Sequence, residues 1–152
     1  MNLYLVHHGE AVGPEVDPRR PLSPRGHQAV ERLALEAATH GVRPAIVWHS
    51  GKLRTKQTAE AFWRLCNALS EISATRDLQP DDPPSRMFDR LRGEARDVLI
   101  AGHFPFLPRL LELLVQGRED TPPTAFPLHG LVALASADAG GTWVEKWRAE
   151  ST

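Results

Sequence analysis

Asn2-Leu3-Tyr4-Leu5-Val6-His7-His8-Gly9 begins as an apolar run with β-branched and aromatic residues and stops on a His-His-Gly step. A short run of this kind, ended by polar residues and glycine, reads as a buried strand with chemistry waiting at its carboxyl end. The same pattern recurs downstream. Ala45-Ile46-Val47-Trp48 runs into His49-Ser50-Gly51, and the strand predicted over Asp97 to Ala101 runs into Gly102-His103. A helical stretch follows each of them. Ser23-Pro24 has the form of an N-cap with proline at the first helical position, and Ala29, Leu33 and Ala37 then recur at helical spacing, so a helix is predicted over Pro24 to His40. Others are predicted over Leu53 to Ala68 and, after Pro105, over Phe106 to Val115.

Between these units, Glu71 to Thr75 reads as a short strand, Gln79 to Pro84 as a break, and Ser85 to Arg92 as a brief helix. Pro122, Pro123 and Pro127 mark a loop. Gly130 to Ala135 and Thr142 to Arg148, joined through Asp138-Ala139-Gly140-Gly141, read as a terminal hairpin. Alternating strands and helices imply an α/β fold with a mainly parallel sheet covered on both faces. Ligands of such sheets bind beyond the carboxyl ends of the strands. The clusters at His7-His8-Gly9, His49-Ser50 and Gly102-His103 are therefore candidates to share one edge.

The chain has 152 residues, and residues 1–152 are expected to form a single domain. With 18 basic and 19 acidic residues the formal charge is -1, so no field favours nucleic acid or an anionic membrane, and neither is an expected partner. Cys66, the one cysteine, rules out an internal disulfide, and its apolar neighbours suggest a buried thiol in a reducing compartment. No basic leader and no long apolar run is visible, which makes a cytoplasmic location the expectation. Lysine occurs only at positions 52, 56 and 146, so most of the basic charge is arginine and a lone Arg carries little weight.

Three residues stand where chemistry is expected. His8 follows a strand and precedes Gly9, whose missing Cβ allows close approach, and an imidazole there can attack phosphorus through a covalent intermediate. Arg54 opens the second helix, so its guanidinium and the helix-terminal amides can face one anion, although a solvated arginine fits the same spot. His103 lies between a buried strand and a helix, where a ring nitrogen can donate to a phosphoryl oxygen. His27, His40 and His129 read as surface or core residues, with His129 able to border the pocket from the start of a strand.

In order and spacing, His8-Gly9-Glu10, Pro21-Leu22-Ser23-Pro24-Arg25-Gly26, the run Ser50 to Ala59, and Gly102-His103-Phe104-Pro105 resemble the histidine phosphatase superfamily over nearly the whole chain. The short length, the Arg20-Pro21-Leu22-Ser23 step and the lack of a large helical insertion look most like the SixA-type phosphohistidine phosphatases. The resemblance implies a phosphoglycerate mutase-like three-layer α/β/α sandwich. It also implies His8 as nucleophile, Arg54 and His103 as phosphoryl clamps, and Arg20 as a weaker phosphate contact that could equally be solvated. The implied substrate is phosphohistidine on a protein, or else a small phosphorylated molecule, and no cofactor is required.

One position departs from the pattern. The family reads Arg-His-Gly, whereas His7 stands here before His8 and Gly9. A charge-assisted contact is worth about 1.5 to 3 kcal/mol, so its loss weakens phosphoryl binding or turnover unless His7 recovers part of it. As an imidazolium, His7 is expected to donate one hydrogen bond and to favour activity at mildly acidic pH. The alternative is a degraded site that binds phosphorylated ligands without hydrolysing them. No carboxylic acid is evident to protonate a leaving group: Asp81 and Asp82 lie in a proline-rich stretch and read as turn residues. A phosphoramidate on histidine depends less on such an acid than a phosphoester does. No metal site is expected from His7, His8, His49 and His103, because adjacent strand residues point oppositely and no familiar ligand spacing occurs.

Overall fold

A computed structural model describes residues 1–119 and 125–151. The loop predicted at Pro122 and Pro123 lies outside the described residues. In chain order the elements are β1 (Asn2–His7), α1 (Pro24–Thr39), β2 (Ile46–His49), α2 (Leu53–Cys66), β3 (Glu71–Ala74), α3 (Pro84–Leu91), β4 (Val98–Gly102), α4 (Phe106–Gln116), β5 (Leu131–Ala135) and β6 (Val144–Ala149).

Alternation along the strands explains the layers. Tyr4, Val6, Val47, Leu99 and Ala101 meet Val30, Leu33 and Phe62 of α1 and α2 in one core. Leu3, Leu5, Trp48, Val98 and Ile100 meet Met87, Leu91, Leu107 and Leu110 of α3 and α4 in the other. Burial on both faces is why these strands read as continuous apolar runs rather than as alternating ones. The result is a three-layer α/β/α sandwich around a six-stranded sheet of order β3-β2-β4-β1-β5-β6. Strands β1 to β4 run parallel, whereas β5 and β6 are antiparallel.

Helix boundaries follow local chemistry. The hydroxyl of Ser23 accepts the Gly26 N–H at 2.9 Å and caps α1, with Pro24 in the first turn. Gly117 ends α4 at φ 72, the left-handed conformation that glycine adopts without strain. The Cys66 thiol is buried, lies 3.6 Å from the Ala34 carbonyl and is pushed up to about 11 by burial, which makes it a poor nucleophile. Among the described residues, no helix is long and apolar enough to cross a membrane.

Register sets the site. His7 pairs with Gly102 across β1 and β4, and His49 pairs with Ala101 across β2 and β4. The residues that follow, His8, Ser50 and His103, therefore emerge from neighbouring strands at one edge.

Candidate active site

His8 is fixed from both sides of its backbone. Its N–H donates to the Gly102 carbonyl at 3.1 Å, and the next N–H, from Gly9, donates to the Thr58 hydroxyl at 3.0 Å. A Cβ at Gly9 would stand 2.5 Å from Cγ2 of Val30, so this glycine makes room for α1. The His8 Nδ1 lies 2.7 Å from the Gly9 carbonyl oxygen. A carbonyl only accepts, so Nδ1 carries the proton and Nε2 keeps its lone pair. Burial lowers the His8 pKa to about 4, the Gly9 hydrogen bond opposes that shift, and Arg54 adds to it. At neutral pH His8 is thus an uncharged imidazole with its Nε2 unprotonated.

His103 is 2% exposed and its Nε2 lies 2.7 Å from the Ser50 hydroxyl. Thr55 donates its hydroxyl proton to the Lys52 carbonyl at 2.8 Å, so in the Ser50–Thr55 contact, also 2.8 Å, Ser50 is the donor. Ser50 can then only accept from His103, which places the His103 proton on Nε2. Burial, followed by the positive charge of Arg54, lowers the His103 pKa to about 3. Its ring centroid is 5.4 Å from that of His8, nearly edge-on.

Arg54, at the start of α2, brings a guanidinium whose Nε is buried and has no hydrogen-bond partner. Burial and then the neighbouring Arg20 lower its pKa. Arg20 adopts φ 49, and its half-buried side chain donates from Nε to the Val12 carbonyl at 3.1 Å. Its charge is felt at His8, His103 and Arg54. Among the described residues no carboxylate forms an ion pair with Arg20 or Arg54. Two guanidiniums that repel one another, one with an orphaned donor, have the chemistry that suits an anion.

His7 behaves differently from its sequence-based expectation. The backbone N–H of His129 donates to His7 Nδ1 at 2.8 Å, so Nδ1 must carry a lone pair and the ring proton sits on Nε2. Burial first, then the proximity of the His8, His129 and His103 rings and of the Arg54 charge, lower its pKa to about 2. The ring stacks on Phe104 at 3.9 Å and on His129 at 4.9 Å. His7 is therefore a neutral group with one N–H to offer, and in place of the imidazolium expected at mildly acidic pH the ring is held uncharged there. A second proton on Nδ1 would point at the His129 N–H.

His129 is the functional candidate that sequence reasoning left at the margin. It sits at φ 53 in the turn before β5, and its own Nδ1 lies 2.6 Å from the His8 carbonyl oxygen, so Nδ1–H donates and Nε2 keeps a lone pair. A nitrogen from each of His7, His8 and His129 lies within 4.8 Å of the others. The sequence signal was weak because β5 joins β1 across more than a hundred residues: Val6 pairs with Leu131, which sets His129 beside His8. The expectation that His7 and His8 diverge is also modified, since these rings are 4.4 Å apart. The three-histidine group has only two imidazoles with a lone pair at Nε2, because the His7 proton occupies that atom. This is one short of the three protein ligands usual in a catalytic zinc centre.

His49 stands outside this cluster, with its Nδ1 accepting the Gly51 N–H at 3.0 Å. Asp82 accepts the Gln79 N–H at 2.9 Å, a turn-stabilising bond as expected, and Asp81 is exposed. Openings flank the site. One, of about 330 Å³, is lined by Glu10, Arg25, Arg32, His129 and Ser151, and the other, of about 470 Å³, by Arg19, Lys52, Arg54 and Lys56.

No protein-family model matches this sequence, and no curated protein does so. Solved structures do match. The protein histidine phosphatase SixA complexed with tungstate is 23% identical, with a TM-score of 0.85 over 99% of this chain and 97% of that one. A proposed phosphohistidine phosphatase SixA from Agrobacterium tumefaciens is 22% identical, with a TM-score of 0.77 over 97% of this chain and 96% of that one. A phosphoserine phosphatase from Entamoeba histolytica, in complex with 3-phosphoglyceric acid, is 14% identical, with a TM-score of 0.71 over 99% of this chain and 97% of that one. The fold is therefore that of the histidine phosphatases, the phosphoglycerate mutase-like three-layer sandwich expected from the sequence.

Proposed function

We propose that this chain is a phosphatase that hydrolyses phosphohistidine on a protein through a phosphohistidine intermediate on His8. The observation that carries this reading is the tautomer of His8: its Nδ1–H is tied to the Gly9 carbonyl, leaving an uncharged Nε2 beside an arginine whose buried donor has no partner. The Nε2 lone pair attacks phosphorus, the bond to the leaving group breaks, and water then attacks the phosphorus on His8 to release inorganic phosphate. Arg54 and Arg20 supply positive charge to the phosphoryl oxygens, and His7 and His103 line the same space. All of these groups belong to the protein, so the proposed chemistry uses no cofactor. The similarity to SixA favours a protein substrate over a small molecule. The reading takes residues 1–152 as one catalytic domain in a reducing, cytoplasmic setting, which the buried, unpaired Cys66 supports.

A second reading, a module that binds phosphorylated ligands without turnover, is favoured by one observation. His7 is neutral where the family pattern has a permanent charge. Phosphate release from a phosphohistidine peptide, measured beside a phosphoserine peptide and with His8→Ala as control, separates the two. Selective release with acid-labile phosphate on His8, lost in His8→Ala, is the expected result. Vanadate binding with no release and no phosphoenzyme would replace the phosphatase by the binding module.

A further inference from the structure

We infer that His129 is the acid and base of the reaction, passing a proton to the leaving group and taking one back from water. The inference rests on the phosphatase reading above and names a residue that reading leaves without a role.

Both steps of a phosphoryl transfer through histidine need a proton to move, and among the described residues Glu10 and Asp82 are otherwise engaged. Glu10 accepts the Ser23 hydroxyl at 2.9 Å and lies 3.9 Å from Arg25, while Asp82 accepts the Gln79 N–H. Nor do the other imidazoles suit the task. His8 is the nucleophile, His7 has its Nδ1 occupied by the His129 N–H, and His103 is tied through Nε2 to Ser50. His129 alone combines a fixed ring, an Nε2 lone pair and a place beside the nucleophile. Its Nδ1–H is held by the His8 carbonyl, one of its ring nitrogens is within 4.8 Å of one on His8, and it borders the cavity of about 330 Å³.

The protons balance. With His129 protonated on Nε2, the His8 Nε2–P bond forms as the bond from phosphorus to the leaving atom breaks, and that atom takes the His129 proton. In the second step the neutral Nε2 of His129 takes a proton from water as the water oxygen bonds phosphorus and the His8–phosphorus bond breaks. Inorganic phosphate leaves, and His129 is again protonated. Positioned acid–base groups of this kind contribute about 10²- to 10⁴-fold.

The test uses His129→Asn. Asparagine tolerates the left-handed backbone and its amide can still donate to the His8 carbonyl, so the acid–base nitrogen is lost while the positioning bond is kept. Rapid-quench phosphorylation of His8 is measured with p-nitrophenyl phosphate, whose leaving group needs no proton, and with phenyl phosphate, whose leaving group does. The expected result is a p-nitrophenyl phosphate burst within about threefold of wild type, a phenyl phosphate rate lowered by about 100-fold or more, and slowed decay of the phosphoenzyme. Equal slowing with both substrates would overturn the inference and leave His129 a positioning residue. If His129→Asn fails to fold, His129→Gly with added imidazole takes its place: rescue of the phenyl phosphate rate supports the inference, and no rescue overturns it. Failure of the phosphatase reading looks different, since wild type would then form no phosphohistidine with either aryl phosphate or with a phosphohistidine peptide.

Discussion

Arg54 shows at the scale of one residue how the site is held ready for a ligand. Its Nε is buried without an acceptor, the charge of Arg20 repels its own, and among the described residues no carboxylate forms an ion pair with either. An unsatisfied buried donor costs about 1–3 kcal/mol, a cost that, in the proposed function, an incoming phosphoryl group removes. Arg54→Met keeps the aliphatic packing and deletes both the orphan and the repulsion. The expected outcome is a higher thermal midpoint by calorimetry together with a kcat/KM lowered by roughly 10-fold to over 100-fold. A lower midpoint would instead make Arg54 a structural residue. The position of Arg54 at a helix start was legible in the sequence. The anchoring of Arg20 was not, because it depends on a positive φ and a bond to the Val12 carbonyl.

At the scale of elements, α2 is tied to the end of β1 by Thr58. The fully buried Thr58 hydroxyl accepts the Gly9 N–H at 3.0 Å and donates to the Arg54 carbonyl at 2.8 Å, which joins the end of the His8 strand to the helix that carries Arg54. Thr58→Val preserves shape but strands the Gly9 N–H, so a loss of about 1–3 kcal/mol in urea denaturation is expected, with a lower kcat, and with Thr58→Ser restoring both. An unchanged stability in Thr58→Val would mean that the Gly9 N–H finds another acceptor. The helix itself was legible. The run Ser50 to Ala59 stood out, and the predicted span ends two residues past the observed α2. Thr58 was not singled out, because a threonine at helical spacing carries no mark of a partner at residue 9.

For the molecule as a whole, the packed imidazoles set an acid limit. His7, His8 and His103 are held neutral, with pKa values of about 2, about 4 and about 3 against an ordinary 6.5. Below about pH 6.5 the unfolded chain takes up protons that the folded chain refuses, so stability is intact above that pH and falls as pH drops toward the folded values. Each such histidine steepens the loss by up to about 1.4 kcal/mol per pH unit. Urea midpoints measured from about pH 7.5 to about pH 5 should fall accordingly. In His7→Phe, which keeps a ring on Phe104, the slope should lessen by about one proton. A flat profile in the wild type would contradict the neutral tautomers on which the site is built.

Local sequence determined the order and type of the elements, because buried strands and amphipathic helices write their burial into short-range pattern: all ten elements fall where the apolar runs, caps and glycines place them. It also marked His8, Arg54 and His103, each next to an element boundary where a backbone turn exposes a side chain. Only the tertiary structure decided their protonation. The proton on His8 is placed by its own Gly9 carbonyl, but that on His7 is placed by an N–H from residue 129 and that on His103 by Ser50 and Thr55. Strand pairing across more than a hundred residues likewise brought His129 to the site. A tautomer is fixed by whichever donor or acceptor packs against the ring, and for His7 and His103 that partner lies far along the chain, where no local pattern can register it.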